Sequence, residues 1–233
     1  MTTEQFTKTV FSQYAIVKVL ADKNGCKTLR LRHKTLSKDV VMHIFPKVYE
    51  AYEVLCKIRC KSLPEIYDAV KLDDGQIVFE EYIDGITVAE VMETGKYRYG
   101  GAKNVICSVC EALTVLHKNG FVHRDVKPEN VVIDNGGRVV LIDFNASRKV
   151  SLASKDTVVM GTVGYASPEQ LGVAQSDSRT DIYAVGVLLN VMLTGCHPST
   201  RLAKGRAGRI VENCTNINPG RRFQSAEKLA AEL

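Results

Sequence analysis

The chain has 233 residues and no tryptophan, enough for one large domain or two small lobes sharing a cleft. Hydrophobic residues make up 45% and charged residues 24%, and the formal net charge is +5. This is the balance of an ordinary soluble globular protein, and the mild basic excess, spread along the chain, fits either phosphate-bearing ligands or a solvated basic surface. The start, Met1-Thr2-Thr3-Glu4-Gln5, lacks the basic and apolar regions of a signal peptide. The most apolar run, Ile182 to Leu193, is too short to cross a bilayer and reads as a buried helix. Seven cysteines without a secretory signal point to reduced thiols in a cytoplasm.

Taken in order, Tyr14 to Leu20 reads as a strand through Ile16, Val17, Val19 and Leu20. Asp22-Lys23-Asn24-Gly25 is a turn. Lys27 to His33 alternates, with Leu29 and Leu31 on one face and Arg30 and Arg32 on the other. Val40 to Phe45 is a third strand, and a short helix over Tyr49 to Ile58 follows. Val70 to Phe79 is a hairpin with Asp74-Gly75 at its turn. From Thr87 the chain turns helical, and Ala102 to Lys118 is amphipathic with a stop at Asn119-Gly120. Cys107-x-x-Cys110 has redox or metal spacing, but no second pair completes a site and the helical pattern around it favours plain packing. There is no internal repeat or low-complexity tract.

Three motifs stand in order in the second half: His123-Arg124-Asp125-Val126-Lys127-Pro128-Glu129-Asn130, then Asp143-Phe144-Asn145, then Gly161-Thr162 through Ser167-Pro168-Glu169. Together they resemble the signature set of the eukaryotic-type serine/threonine protein kinases. The compact form, with Leu63-Pro64-Glu65-Ile66-Tyr67 and Glu80-Glu81-Tyr82-Ile83-Asp84-Gly85, is similar to bacterial members. The resemblance covers about residues 10 to 230 and is specific from Ile77 onward. It implies an α+β, bilobal kinase-like fold. Residues 1–82 would form a small, mostly antiparallel lobe with a five-stranded sheet and a short helix, and residues 83–233 a mostly α-helical lobe.

The resemblance also implies roles. Asp125 is the general base or hydroxyl-orienting residue, and Lys127 neutralises the moving phosphoryl group. Asn130 and Asp143 hold magnesium, or manganese, on the phosphates of ATP. Val132 is the apolar floor under adenine, and Glu81 and Ile83 present backbone groups to it. Glu80 either gates the back of that pocket or points out to a polar partner. Arg124 would dock a phosphate on the activation segment, where Thr157 is the best-placed acceptor or an unmodified loop residue. Thr162, in the same segment, would contact Asp125 and Lys127 and shape the substrate groove. Glu169 pairs with Arg222, and Asp181 anchors the catalytic loop from a buried helix. His123 and Phe144 are packing residues. Asn145 replaces the motif's glycine and, as a residue type tolerant of positive φ, keeps an unusual backbone shape there.

The first half departs from the family. Of the usual glycine-rich turn only Gly25 remains, which implies a stiffer lid or fewer backbone contacts to phosphate. His43 stands where the family has a lysine. It either substitutes for that lysine or is a half-buried strand histidine bonded to backbone. Ala51, flanked by Glu50 and Glu53, stands where the partner glutamate belongs. Lys27, as in the with-no-lysine kinases, or Arg30 would restore the charge from the second strand. Alternation lets only one of them aim at the phosphates, and Lys27 is preferred, with two plain surface charges as the remaining alternative. Two functions follow: ATP- and magnesium-dependent transfer to serine or threonine hydroxyls of a protein substrate, or a pseudokinase that senses nucleotide or binds partners. No nucleic-acid partner and no membrane segment are expected.

Overall fold

The structure, a computed structural model, describes residues 1–150, 162, 164–171 and 176–233. The chain divides into two compact units: Met1–Arg59 with Pro64–Ile83, and Cys60–Leu63 with Asp84–Leu233. The short Cys60–Leu63 segment groups with the second unit rather than the first. Its Ser62 accepts from the Leu141 backbone N–H and donates its hydroxyl to Glu111. The main division falls after Ile83, one residue from the expected break.

The first unit opens with a helix that periodicity did not reveal, α1 (Thr3–Gln13). A capping box starts it: the Thr2 hydroxyl accepts from the Gln5 N–H, and the Gln5 side chain accepts from the Thr2 N–H. Val10 is its one buried residue. The helix stops at Tyr14, where the β-branched run begins and the backbone becomes extended.

Strands β1 (Tyr14–Lys23), β2 (Cys26–His33) and β3 (Asp39–Phe45) lead to helix α2 (Glu50–Leu55). Strands β4 (Ile66–Leu72) and β5 (Gly75–Glu81) complete the antiparallel sheet, ordered β1-β2-β3-β5-β4. Asn24 and Gly25, with φ of 54° and 75°, join β1 to β2. Two successive positive-φ residues make the tight hairpin turn that suits the strand twist, so a two-residue turn stands where a glycine-rich loop would be. The turn between β4 and β5 is Asp73-Asp74 instead of Asp74-Gly75. Gly75 serves another need: a Cβ there would sit 2.0 Å from the Phe45 carbonyl oxygen.

The register sorts the sheet's two faces. Leu29, Leu31, Val40, Met42 and Ile77 gather with Val10 into one core cluster. Thr28, Arg30, Val41, His43, Val78 and Glu80 belong to the opposite face, since Thr28 pairs His43, Arg30 pairs Val41, and Val41 pairs Glu80.

The second unit contains β6 (Gly85–Thr87), α3 (Val88–Glu93), α4 (Tyr99–Lys118), β7 (Phe121–Val122), β8 (Val131–Asp134), β9 (Val139–Leu141) and β10 (Arg148–Lys149). Helices α5 (Ser178–Thr194), α6 (Gly205–Cys214) and α7 (Ala226–Ala231) follow. Strands β6, β8 and β9 form a small sheet, and β7 pairs β10. Helix α4 buries Ala102, Val105, Ile106, Val109, Leu113 and Leu116 at helical spacing. Cys110 lies on the same buried face, and burial pushes its thiol well above the ordinary range, which makes it an inert packing residue. Asp177 caps the start of α5, and Gly195, at φ 73°, ends it. Gly186 lets α6 approach α5, because a Cβ on it would lie 2.3 Å from the Cys214 Cβ.

Candidate active site

The catalytic-loop residues converge within the second unit. Asp181, fully buried on α5, accepts from the backbone N–H of His123 at 2.9 Å and of Arg124 at 2.8 Å, and contacts His117 Nε2 at 2.7 Å. This grip holds Arg124 at φ 69°, a left-handed conformation that an arginine does not adopt cheaply. The Arg124 carbonyl in turn accepts from Gln170 Nε2 at 2.8 Å. The loop is thus fixed from two sides, by a helix carboxylate and by an amide from the segment that follows Ser167.

Asp125, the residue so positioned, is held at both oxygens. Its Oδ1 accepts from the Thr162 hydroxyl at 2.7 Å, and its Oδ2 faces Lys127 Nζ at 2.7 Å. Lys127 Nζ also donates to Thr162 Oγ1 at 2.9 Å, closing a triangle. Asn130 Nδ2 donates to the Asp125 carbonyl at 2.8 Å and to its Oδ2 at 3.0 Å. Burial works against ionisation of Asp125, but the hydrogen bonds from Lys127 and Thr162 outweigh it and lower its pKa below the ordinary carboxylate range. A carboxylate of this kind is a weak base. It orients a hydroxyl well and takes the proton only late in a transfer.

Strands β8 and β9 bring the next residues alongside. The Ile142 N–H donates to the Asn130 carbonyl at 2.9 Å, so Asp143 follows directly beside Asn130. Asp143 adopts φ 67° and its Oδ1 accepts from the Asn145 N–H at 3.2 Å. The positive φ expected at Asn145 therefore belongs to Asp143, and Asn145 stabilises that bend through its backbone. Phe144 is fully buried edge-on to His123, 5.3 Å between ring centres. Burial lowers the His123 pKa and keeps its imidazole toward the neutral form, against the pull of Asp181 and its neighbours. Val132, on β8, is 7% exposed.

Among the described residues, no group of three or more His, Cys, Asp or Glu could hold a metal unaided. Asn130 and Asp143 nonetheless suit magnesium, which takes oxygen donors and characteristically completes its shell with substrate phosphates and water. Glu169 and Arg222 form a buried bidentate pair at 2.6 and 3.0 Å, and the Thr180 hydroxyl donates to the same carboxylate. Arg124 is buried at 5% exposure. Thr157 lies outside the described residues, and Thr162 spends its hydroxyl on Asp125 and Lys127.

The first unit revises several expectations. His43 is buried and bonded to side chains instead of being half-buried against backbone. Its Nδ1 lies 3.0 Å from Thr28 Oγ1, and its Nε2 lies 2.9 Å from Glu80 Oε1. The ring stacks on Phe45 at 5.3 Å. Glu80 accordingly points to a polar partner, but an internal one. Arg30 shares the face of His43, and it is already committed: its Nε donates to Asp39 at 2.7 Å, its Nη1 to the Tyr82 hydroxyl at 2.9 Å, and its guanidinium lies over the Tyr82 ring. Hydrogen bonds from Arg32, opposed by burial and joined by Arg30, lower the Asp39 pKa to about 2.

Lys27 takes the other face. It pairs in register with Ile44, on the face opposite His43, and among the described residues its ion-pair partner is Asp22 at 3.5 Å. On β2 the residue facing His43 is Thr28, one position away from the favoured lysine. Helix α2 does not supply a replacement glutamate: Glu50 is exposed, Ala51 is buried, and Glu53 pairs with Lys71 of β4 at 2.6 Å. The Glu81 N–H donates to the Glu65 carbonyl at 2.8 Å. Ile83 ends the unit just after β5. Sequence reasoning missed the Thr28–His43–Glu80 chain and Gln170. Alternation along β2 and β3 was the only signal for the former.

Comparison with known proteins agrees with this geometry. A family model described as protein kinase domain matches residues 14–230. The serine/threonine-protein kinase PknL of Mycobacterium tuberculosis is 38% identical over 149 residues, which cover 63% of this chain and 37% of that protein. The probable serine/threonine-protein kinase PknB of Corynebacterium glutamicum is 38% identical over 151 residues, 61% of this chain and 23% of that one. The matched portions are thus well under half the length of these relatives. The solved PknI kinase domain of Mycobacterium tuberculosis superposes with a TM-score of 0.73 at 22% identity, covering 95% of both chains, and shows the same α+β kinase fold. With its motif residues assembled in that order and on that fold, the chain belongs to the protein kinase domain family.

Proposed function

We propose that this chain transfers the γ-phosphoryl group of ATP, with magnesium or manganese, to serine or threonine hydroxyls of a protein substrate. The observation that carries the reading is the closed triangle of Asp125, Lys127 and Thr162. Asp125 orients the incoming hydroxyl and takes its proton, Lys127 offsets the charge of the moving phosphoryl group, and Asn130 and Asp143 offer oxygens to the cation. Thr162 ties the activation segment to the catalytic loop and would help shape the substrate groove. Glu81 and Ile83 would meet adenine through backbone groups. The seven free cysteines suit a reducing compartment.

A second reading has its own observation. His43 is closed into a chain with Thr28 and Glu80, so it does not stand as a free cation for phosphates. A pseudokinase that binds nucleotide weakly, or serves as an interaction module, would have the same first unit. Transfer of labelled γ-phosphate to a generic basic protein, with Asp125→Asn beside it, separates the two. Transfer lost in the variant supports the enzyme. No transfer above the variant, with no nucleotide-induced rise in melting temperature, supports the pseudokinase.

A further inference from the structure

The second unit contains a cavity of about 500 Å³ that the phosphoryl-transfer residues do not touch. Its floor is apolar, from Leu193 at the end of α5, Leu202, and Ala207 on α6. Its rim carries Lys96, Arg201, Lys204 and Arg206, and no acidic residue lines it. The cations find no carboxylate side chain there. Arg206 donates to the Glu232 carbonyl at 3.1 Å, and Arg201 donates to Cys196 Sγ and the Thr194 carbonyl. Neither Lys96 nor Lys204 has an acidic partner among the described residues. Lys204 and Arg206 also stand at the first turn of α6, the end where the helix dipole disfavours positive charge. Four like charges are therefore gathered around an apolar hollow that no acidic side chain lines; Tyr99 in its wall donates to the Leu233 carbonyl oxygen at 3.0 Å.

We propose that this cavity binds a small amphipathic anion, specifically a free medium-chain acyl carboxylate. The volume is that of a small-ligand pocket, the floor accepts an alkyl chain, and the rim accepts the carboxylate head. The site would be separate from the transfer site, so occupancy is measured without any phosphoryl transfer.

Calorimetric titration of the full chain with decanoate tests this, with decanol and acetate as the two half-ligands. Saturable binding of decanoate, much weaker binding of both half-ligands, and weakening at high salt are the expected results. Lys96→Ala/Lys204→Ala, two exposed positions that leave the fold intact, should weaken decanoate about ten-fold or more. Equal binding of decanol would overturn the anionic part of the proposal. Equal binding of acetate would reduce it to ion exchange. Decanoate binding unchanged in the double variant, or absent altogether while an acidic peptide binds, would overturn it as a small-ligand site.

Discussion

Replacing Arg222 with alanine should be among the most damaging single changes outside the site. Its side chain is fully buried, and Glu169 opposite is 5% exposed. Besides the bidentate pair, Arg222 donates to the Arg179 carbonyl at 2.9 Å and the Asn216 carbonyl at 2.7 Å, and lies over the Tyr183 ring. Truncation leaves a buried carboxylate with the Thr180 hydroxyl, and leaves three carbonyls, those of Arg179, Asn216 and Ile217, without this donor. Breaking one side of a buried pair costs about 3–5 kcal/mol. At roughly 2–4 °C per kcal/mol for a unit of this size, the melting temperature should fall by about 6–20 °C. Thermal unfolding followed by circular dichroism measures it. Burial opposes ionisation of Glu169, and Arg222 outweighs it, so its folded pKa is lowered. A group with a lowered folded pKa contributes stability above its unfolded pKa and loses it as pH falls through the folded value. The gap between wild type and Arg222→Ala should therefore narrow below about pH 4. Glu169→Ala/Arg222→Ala should cost less than the two single changes summed. A fall of less than about 2 °C at pH 7, or strict additivity, would mean that the buried pair contributes little.

Other positions make separate demands. His43→Ala leaves Glu80 buried without its imidazole, and the denaturant midpoint of the first unit should drop by the equivalent of about 1–3 kcal/mol; an unchanged midpoint would mean the contact holds nothing. Thr162→Val removes the hydroxyl that bridges Asp125 and Lys127, and should lower the transfer rate about ten-fold to a hundred-fold while Thr162→Ser keeps most of it. Equal loss in both variants would assign the effect to shape instead of the hydroxyl. Gly186→Val forces a side chain into Cys214 and should cost at least about 1–3 kcal/mol in unfolding experiments. A neutral outcome there would show that α6 can move away from α5 freely.

The catalytic loop was readable because its chemistry lies within a few residues: Asp125, Lys127 and Asn130 are brought together by local chain geometry, and only Thr162 and Asp143 arrive from elsewhere. Helices α4 and α5 were readable from apolar spacing, and the strands from alternation. The face on which Lys27 lies was not, because it depends on the pairing of Lys27 with Ile44, and a shift of one residue exchanges the two faces. The His43–Glu80 contact likewise needs the register between β3 and β5. Helix α1 escaped because it buries only Val10, and its one cue was the Thr2-x-x-Gln5 box. The backbone bend at Asp143 was assigned to its neighbour Asn145, since residue type alone suggests where positive φ is tolerated and not where the chain needs it.

The proposed role of the Asp125–Lys127–Thr162 arrangement is to move a phosphoryl group. Labelled γ-phosphate transfer from ATP with magnesium, measured on wild type and Asp125→Asn in parallel, tests it most directly. Transfer onto serine or threonine that falls to background in the variant is the expected result. Equal signals in both proteins, or none in either alongside no thermal shift with nucleotide, would contradict it.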